Sequence, residues 1–459
     1  MLSFTAKESQ APLRQGGEKV DDTCIRPRPV YYSRQIYRRI TMKSLVSLLA
    51  LLITTLNAAA EFRAAMATRV VTPDPLLPVI GGVGPGNLPK GKAGELTVRA
   101  LVFDDGGTRV AICSVDFLGF PGPLCDKIRA AVKDIPAKNI LIGSTHTHSA
   151  PDCYGFPNGK GGTAADMKYI ESVCARLAEA INEAAGKLQP ATLKIATGEA
   201  KGKIAYNYYA DQLYDPRCHV IQALDKEGKA LATLVNYAVH PEVLGSDAGF
   251  CSPDLVGPLY DELAAKGGGV GLFMNSAQGG MVTADNRRPE GRESRSWEEC
   301  QRIGTLLANE ALRIVRDAPL QTAPKIYCAA RPLTFPVESP LMRALLKALP
   351  NSPGANVESM TTQFNLLNIG NAQILSIPGE ALPNIGYYLK RKMRGEHNLL
   401  FGLTNDAYGY MLTKEDFNSF KRYNYISQTS LGERTGEILV NEALKFVNDS
   451  PKPEGLAAK

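Results

Sequence analysis

The chain has nine cysteines but no Cys-x-x-Cys pair, which argues against a zinc knuckle or a thioredoxin-type motif. No apolar run reaches the ~20 residues that a membrane-spanning helix needs. Glycine shows no period of three, and a 44% hydrophobic share is too high for a disordered or collagen-like chain. Histidine is scarce, with five residues, His146, His148, His219, His240 and His397. Basic charge is also nearly absent from the main body. Of the formal +6, the first 60 residues hold nine Lys and Arg against four Asp and Glu, so residues 61–459 carry only about +1. That excludes the basic field of a nucleic-acid binder.

The excess charge belongs to an N-terminal leader pattern. Residues 1–41 mix charges, Pro, Gln and Gly without apolar periodicity, and read as a disordered extension or a mis-assigned start. Residues 42–60 read as a signal peptide. Arg38-Arg39 and Lys43 precede the apolar run Leu45 to Leu56, which ends in Asn57-Ala-Ala-Ala60. The mature protein is then secreted or periplasmic, with Met42 as the initiator. If translation starts at Met1, Arg38-Arg-Ile-Thr-Met-Lys43 resembles a twin-arginine export signal. The competing reading is an N-terminal membrane anchor. No Pro/Ser linker interrupts the remainder, so residues 61–448 read as one large domain and 449–459 as a disordered tail. Cys113, inside Val110-Ala-Ile-Cys-Ser-Val115, is expected to be a buried small hydrophobe.

The pattern along that domain predicts a mixed α/β fold, with hairpins argued into mixed sheets flanked by helices. Val98 to Phe103 and Arg109 to Val115 flank Asp104-Asp-Gly-Gly107 and predict a hairpin. His219 to Leu224 with Leu231 to Val239, and Phe364 to Ile369 with Ala372 to Ile377, predict two more. Ile170, Val173, Leu177, Ile181 and Ala184 recur at helical spacing. Polar residues follow the strands closely: Asp116, His240-Pro241, Pro378-Gly-Glu380, Ser144-Thr-His-Thr-His148 and Asn275-Ser-Ala-Gln-Gly279. Loops at the ends of a rigid sheet are where sites are built, so five such ends predict one convergent pocket.

His146 and His148 are two apart. In an extended segment both rings face one space, which suits a metal such as zinc. A hydrogen-bonded surface pair is the competing reading, and His240 equally fits a strand-end ring bonded to backbone. His219 reads as structural, His397 as surface loop, and Tyr154-Gly-Phe156 as a packing loop or an apolar pocket mouth.

Taken together, Gly143-Ser-Thr-His-Thr-His-Ser-Ala-Pro151, Asn236-Tyr-Ala-Val-His-Pro241, Asn275-Ser-Ala-Gln-Gly279, Pro378-Gly-Glu380 and Tyr410-Met-Leu-Thr-Lys-Glu415 are specific as a set. Over roughly residues 70–445 the chain resembles the neutral/alkaline non-lysosomal ceramidase family, in a short bacterial form that stops before the C-terminal immunoglobulin-like domain. The resemblance implies a zinc amidohydrolase with His146, His240, Glu380 and Tyr410 as metal ligands. It implies His148 as the group that handles protons, and Tyr425, with Tyr423 as the near alternative, as the tyrosine that steadies the reacting oxygen. Asp116 or Asp254 is a candidate to orient the ligand imidazoles. The chain departs from the family at Asn207-Tyr208, where an arginine is expected, and over Gly280 to Asn286. Both departures fall on substrate handling. The readings that follow are an exported zinc hydrolase of an N-acyl amide, ceramide-like or other; a zinc-dependent esterase or lactonase; and a non-catalytic binding protein. Peripheral contact with a membrane is a further expectation, and nucleic acid is not an expected partner.

Overall fold

The computed structural model describes residues 61–289, 291–349 and 357–454, all within one unit, Ala59–Lys459. The expected signal peptide and extension lie outside the described residues. Among the described residues no helix is long and apolar enough to cross a membrane.

The three expected hairpins are present, and each is the centre of a larger unit with the same plan. In the first, β1 (Arg63–Val70), β2 (Thr97–Asp104) and β3 (Arg109–Val115) pair antiparallel in sequence. Helix α1 (Gly122–Ala131) then crosses to β4 (Ile140–Ser144), which lies parallel to β3, and α2 (Met167–Gly186) follows. The second unit repeats this order with β5 (Thr192–Glu199), β6 (Arg217–Leu224), β7 (Ala230–Tyr237), α3 (Val256–Ala265), β8 (Val270–Asn275) and α4 (Trp297–Val315). The third has β9 (Ile326–Pro336), an inserted α5 (Pro340–Ala348), β10 (Ser359–Ile369), β11 (Ala372–Ser376), α6 (Pro383–Lys392), β12 (His397–Phe401) and α7 (Thr435–Asp449). The fold is therefore mixed α/β, as the sequence pattern predicts.

Local chemistry explains the elements. The β2–β3 turn is closed by Asp104 and Asp105 carboxylates accepting from Gly106, Gly107 and Thr108 amides. Asp166 caps α2 by accepting from the Lys168 and Tyr169 amides. The helix then buries Ile170, Val173, Leu177, Ile181 and Ala184 on one face.

The inner strands, such as β3, β4, β8 and β11, are buried on both faces, which is what a sheet covered on both sides requires. One face of each sheet contributes to a core common to all three: Ile112 and Leu141, Leu234 and Leu272, Ile374 and Leu399. The opposite face packs under that unit's own helices, as Cys113 does beneath α1 and α2. The three sheets meet at their strand ends. Ser144 N donates to Leu403 O (3.1 Å), Gly402 N to Asn275 O (3.0 Å) and Asn275 Nδ2 to Thr145 O (3.1 Å). All eight described cysteines are free. His219 is structural, held between Thr197 Oγ1 (2.8 Å) and the buried Lys390 Nζ (2.9 Å). His397 is not a loop residue; it opens β12 and its ring bonds Thr197 Oγ1 (3.0 Å).

Candidate metal centre

His146 follows β4 by two residues, but the segment is not extended as the two-residue spacing assumes. His146 has φ 72°, a left-handed turn that a non-glycine residue rarely adopts. Its neighbour is placed by a different contact, His148 N donating to Pro241 O (3.1 Å). The rings still converge, with Nε2 atoms 3.3 Å apart and planes at 90°. His240 lies three residues beyond β7, its amide on Val282 O (2.8 Å). The Asn275 side chain ties the two histidine loops together, donating to Thr145 O (3.1 Å) and Val239 O (2.7 Å).

Glu380 enters from the third unit. The chain after β11 forms a short parallel bridge, Glu380 against Tyr410 and Ala381 against Met411, so carboxylate and phenol are neighbours by register. Gly279 makes this possible, because a Cβ there would lie 2.1 Å from Glu380 O. The Asn275-Ser-Ala-Gln-Gly279 motif thus shapes the site through its backbone and through Asn275.

His240 Nε2 lies 3.0 Å from Glu380 Oε2, and His146 Nε2 lies 3.6 Å from it. His146, His148 and His240 each direct a ring nitrogen to within 4.8 Å of the others. The outward nitrogens decide the chemistry. His146 Nδ1 donates to Leu118 O, His240 Nδ1 donates to Val282 O (2.8 Å), and His148 Nδ1 faces Glu242 Oε2 (3.3 Å). With the His146 and His240 Nδ1 atoms carrying hydrogens, their inward Nε2 atoms are acceptors. Two bare imidazole nitrogens and a carboxylate oxygen then face one another beside His148, an arrangement that favours a cation or a proton at its centre.

The residues fit a metal ion. Bonds of 2.0–2.1 Å in a tetrahedral site place neighbouring ligand atoms about 3.3 Å apart; Glu380 Oε2 lies 3.0 and 3.6 Å from His240 and His146, His148 lies 3.3 Å from His146, and the three histidine nitrogens all fall within 4.8 Å of one another. Charge tells the same story. Burial pushes His146 and His148 down to about 3. Burial disfavours charge on His240 too, but its bond to Glu380 and the Glu242 and Glu380 charges outweigh that and raise it to about 9. Burial likewise pushes the Glu380 carboxyl up, yet His146, His240 and the Tyr410 hydroxyl together bring it below the usual range. Without a metal, the cluster holds a proton on His240.

The expected site residues His146, His148, Glu380, Tyr410 and Tyr425 all line one cavity. His240 sits behind it, fully buried. Tyr410 Oη lies 3.3 Å from Met281 Sδ, and its ring packs edge-on to Tyr425 at 5.9 Å. Tyr423 instead packs on Tyr209 and Phe420, so Tyr425 is the tyrosine of the pair that faces the cavity. Tyr154 and Phe156 stack at 4.7 Å and form part of the wall with Leu118, Met342, Leu345 and Leu349.

Two expectations fail. Asp116 accepts from Thr97 N and Oγ1, both at 2.7 Å, and Asp254 from Leu244 N (2.9 Å) and Leu255 N (2.7 Å). Both carboxylates shape loops, and neither bonds an imidazole. The groups that bond the outward nitrogens of His146 and His240 are two backbone carbonyls, and the acceptor nearest His148 Nδ1 is Glu242, which the sequence does not single out. Its only signal there is its place two residues after His240, on the far side of a proline.

No family model and no curated protein sequence matches the chain. The structural comparison is positive. Neutral ceramidase from Pseudomonas aeruginosa superposes with a TM-score of 0.68 at 16% identity, over 87% of this chain and 76% of that one. The fold is similar to that of neutral ceramidase. A ceramidase complexed with C2 gives a TM-score of 0.66 at 16% identity, over 87% and 77% of the two chains. The ceramidase-like fold extends across the described sheets, and the histidine cluster lies at their joined strand ends.

Proposed function

We propose that this chain is a zinc-dependent hydrolase of an amide bond in an N-acyl substrate, with His146, His240, Glu380 and Tyr410 holding the ion. The observation that carries the reading is the ring of inward-facing acceptors at the bottom of an apolar-walled cavity. Zinc held there supplies Lewis-acid polarisation of the carbonyl and makes water acidic enough to attack at neutral pH. The rest falls to side chains. Leu118, Phe156, Met342, Leu345 and Leu349 offer an apolar surface to the acyl group. His148, neutral with Nε2 facing the cavity, accepts a proton there and passes it to the departing nitrogen. Tyr425, half-exposed at the cavity mouth and raised by its partial burial and the Glu380 and Glu242 charges, keeps its hydroxyl proton at neutral pH and can donate it to the oxyanion.

A second reading rests on the 3.3 Å spacing between His148 and His146. Here the three histidines hold the ion with Glu380, and Tyr410 supports the carboxylate.

Metal content, measured together with turnover of ceramide, short-chain N-acyl amines, esters and lactones, tests the function. Ester or lactone turnover without amide turnover makes the protein an esterase or lactonase. Bound metal with no turnover at all makes it a binding protein. Ceramide stands as one of several substrates, because the Asn207 side chain is used by its own turn, accepting from the Tyr209 and Ala210 amides, while Tyr208 points to solvent. Tyr425→Phe is expected to retain metal and lose less than the ~10²–10³-fold cost of a buried oxyanion donor. The residue is 48% exposed, so water partly replaces the lost hydroxyl. An unchanged kcat would remove Tyr425 from the mechanism.

We further propose export, on the basic, apolar and small-residue order of residues 38–60. N-terminal sequencing of the cell-envelope fraction should find a start near Ala60 or Glu61. An intact Met1 terminus in the cytoplasm would refute it.

A further inference from the structure

The geometry points to Glu242 as the positioning residue that sets the tautomer and aim of His148. The two other rings of the cluster are oriented by backbone carbonyls, Leu118 O and Val282 O, which no side-chain substitution removes. His148 alone is oriented by a side chain, Glu242 Oε2 at 3.3 Å from Nδ1.

The loop that carries the carboxylate is well held. Glu242 N donates to His240 O (3.0 Å), and the loop is anchored two residues later by Leu244 N on Asp254 Oδ2 (2.9 Å). His148 N donates to Pro241 O (3.1 Å), so ring and carboxylate are carried by two backbones bonded to each other. Gly81 closes on the same edge of the ring: a Cβ there would lie 3.3 Å from His148 Cβ and 3.4 Å from His148 Nδ1. The missing side chain leaves the approach to Nδ1 open to an acceptor.

An acceptor at Nδ1 places the ring hydrogen there and leaves the Nε2 lone pair facing the cavity. That is the form His148 needs in either reading of the site, as the group that takes a proton or as a ligand. A working histidine is usually kept in place by its far ring N–H donating to a carboxylate or a carbonyl. The inference rests on the proposed hydrolase reading only for its kinetic arm.

The test uses the mature chain, zinc-loaded and labelled with ¹⁵N-histidine, since five histidines give a tractable spectrum. Long-range ¹H–¹⁵N correlation reads the tautomer of each ring, with His148→Ala assigning the signal. Wild type should show His148 protonated at Nδ1. Glu242→Leu should move that signal toward a mixture of tautomers, while Glu242→Gln, which still offers an oxygen at the same place, should preserve it. On any amide or ester that wild type turns over, Glu242→Leu should lower kcat by about 10–100-fold. KM should stay within about twofold, with Glu242→Gln recovering most of the loss; metal content should be unchanged if His148 moves protons, and metal affinity about 10–100-fold weaker if His148 is a ligand. A bare Nδ1 in wild type, or a tautomer unmoved in Glu242→Leu, overturns the inference. So does a Glu242→Gln enzyme as impaired as Glu242→Leu. If wild type turns over nothing, the hydrolase reading falls and the spectrum still decides the role of Glu242.

Discussion

His240→Ala should strip the protein of its metal. The ring is fully buried, its Nδ1 is fixed by Val282 O at 2.8 Å, and its Nε2 stands 3.0 Å from Glu380. Loss of a group merely supporting a ligand costs ~10–100-fold in metal affinity, so removal of a ligand itself should cost on the order of 10²-fold or more. Elemental analysis after dialysis should fall from one zinc per chain to nearly none. A second signature follows from the raised imidazole. In the metal-free protein His240 keeps its proton up to about pH 9, and a bound ion must displace it. Metal uptake at neutral pH should therefore release a proton, and the release should fade as pH rises through about 9. Calorimetry in two buffers of different ionisation enthalpy measures that proton. Equal metal in wild type and His240→Ala, or none in wild type, would show that the cluster is not a metal site.

His148→Ala is expected to leave zinc in place while hydrolysis falls by roughly 10²–10⁴-fold, the usual worth of a positioned proton-transfer group. The ring lines the cavity and burial holds it neutral at rest, so a proton taken at Nε2 during the reaction is passed on rather than kept. It touches the cluster from the side of Glu242, whereas His146 and His240 close on Glu380. Parallel measurement of metal and kcat on His146→Ala and His148→Ala separates the readings. Metal lost from both variants assigns His148 to the ion, in the three-histidine set. Metal lost from His148→Ala but kept in His146→Ala reverses the two roles. Full activity in His148→Ala, on every substrate wild type accepts, would move the chemistry elsewhere.

Much of this was legible in the sequence where the cause is local. The hairpin at Asp104 to Gly107 follows from turn residues whose side chains bond the next amides, and α2 from an apolar period capped by Asp166. The strand-end positions of His146, His240 and Glu380 follow from the same kind of reasoning, because a strand's end is marked by its own residues.

Other features were set by contacts between distant segments. Three sheets of one strand order close on a common core, yet their residues show no repeat, since a core asks only for apolar side chains of suitable volume. The His146 turn was hidden because a left-handed φ at a non-glycine residue is imposed by its surroundings. Asp116 and Asp254 looked like orienting carboxylates, but the nearest free acceptors to His146 and His240 proved to be peptide carbonyls, which every residue carries and no side chain announces. Residue types and strand ends determined which groups were available for chemistry. Only the packing of three sheets decided which of them face one another, because a ring's direction depends on the partner of its far nitrogen.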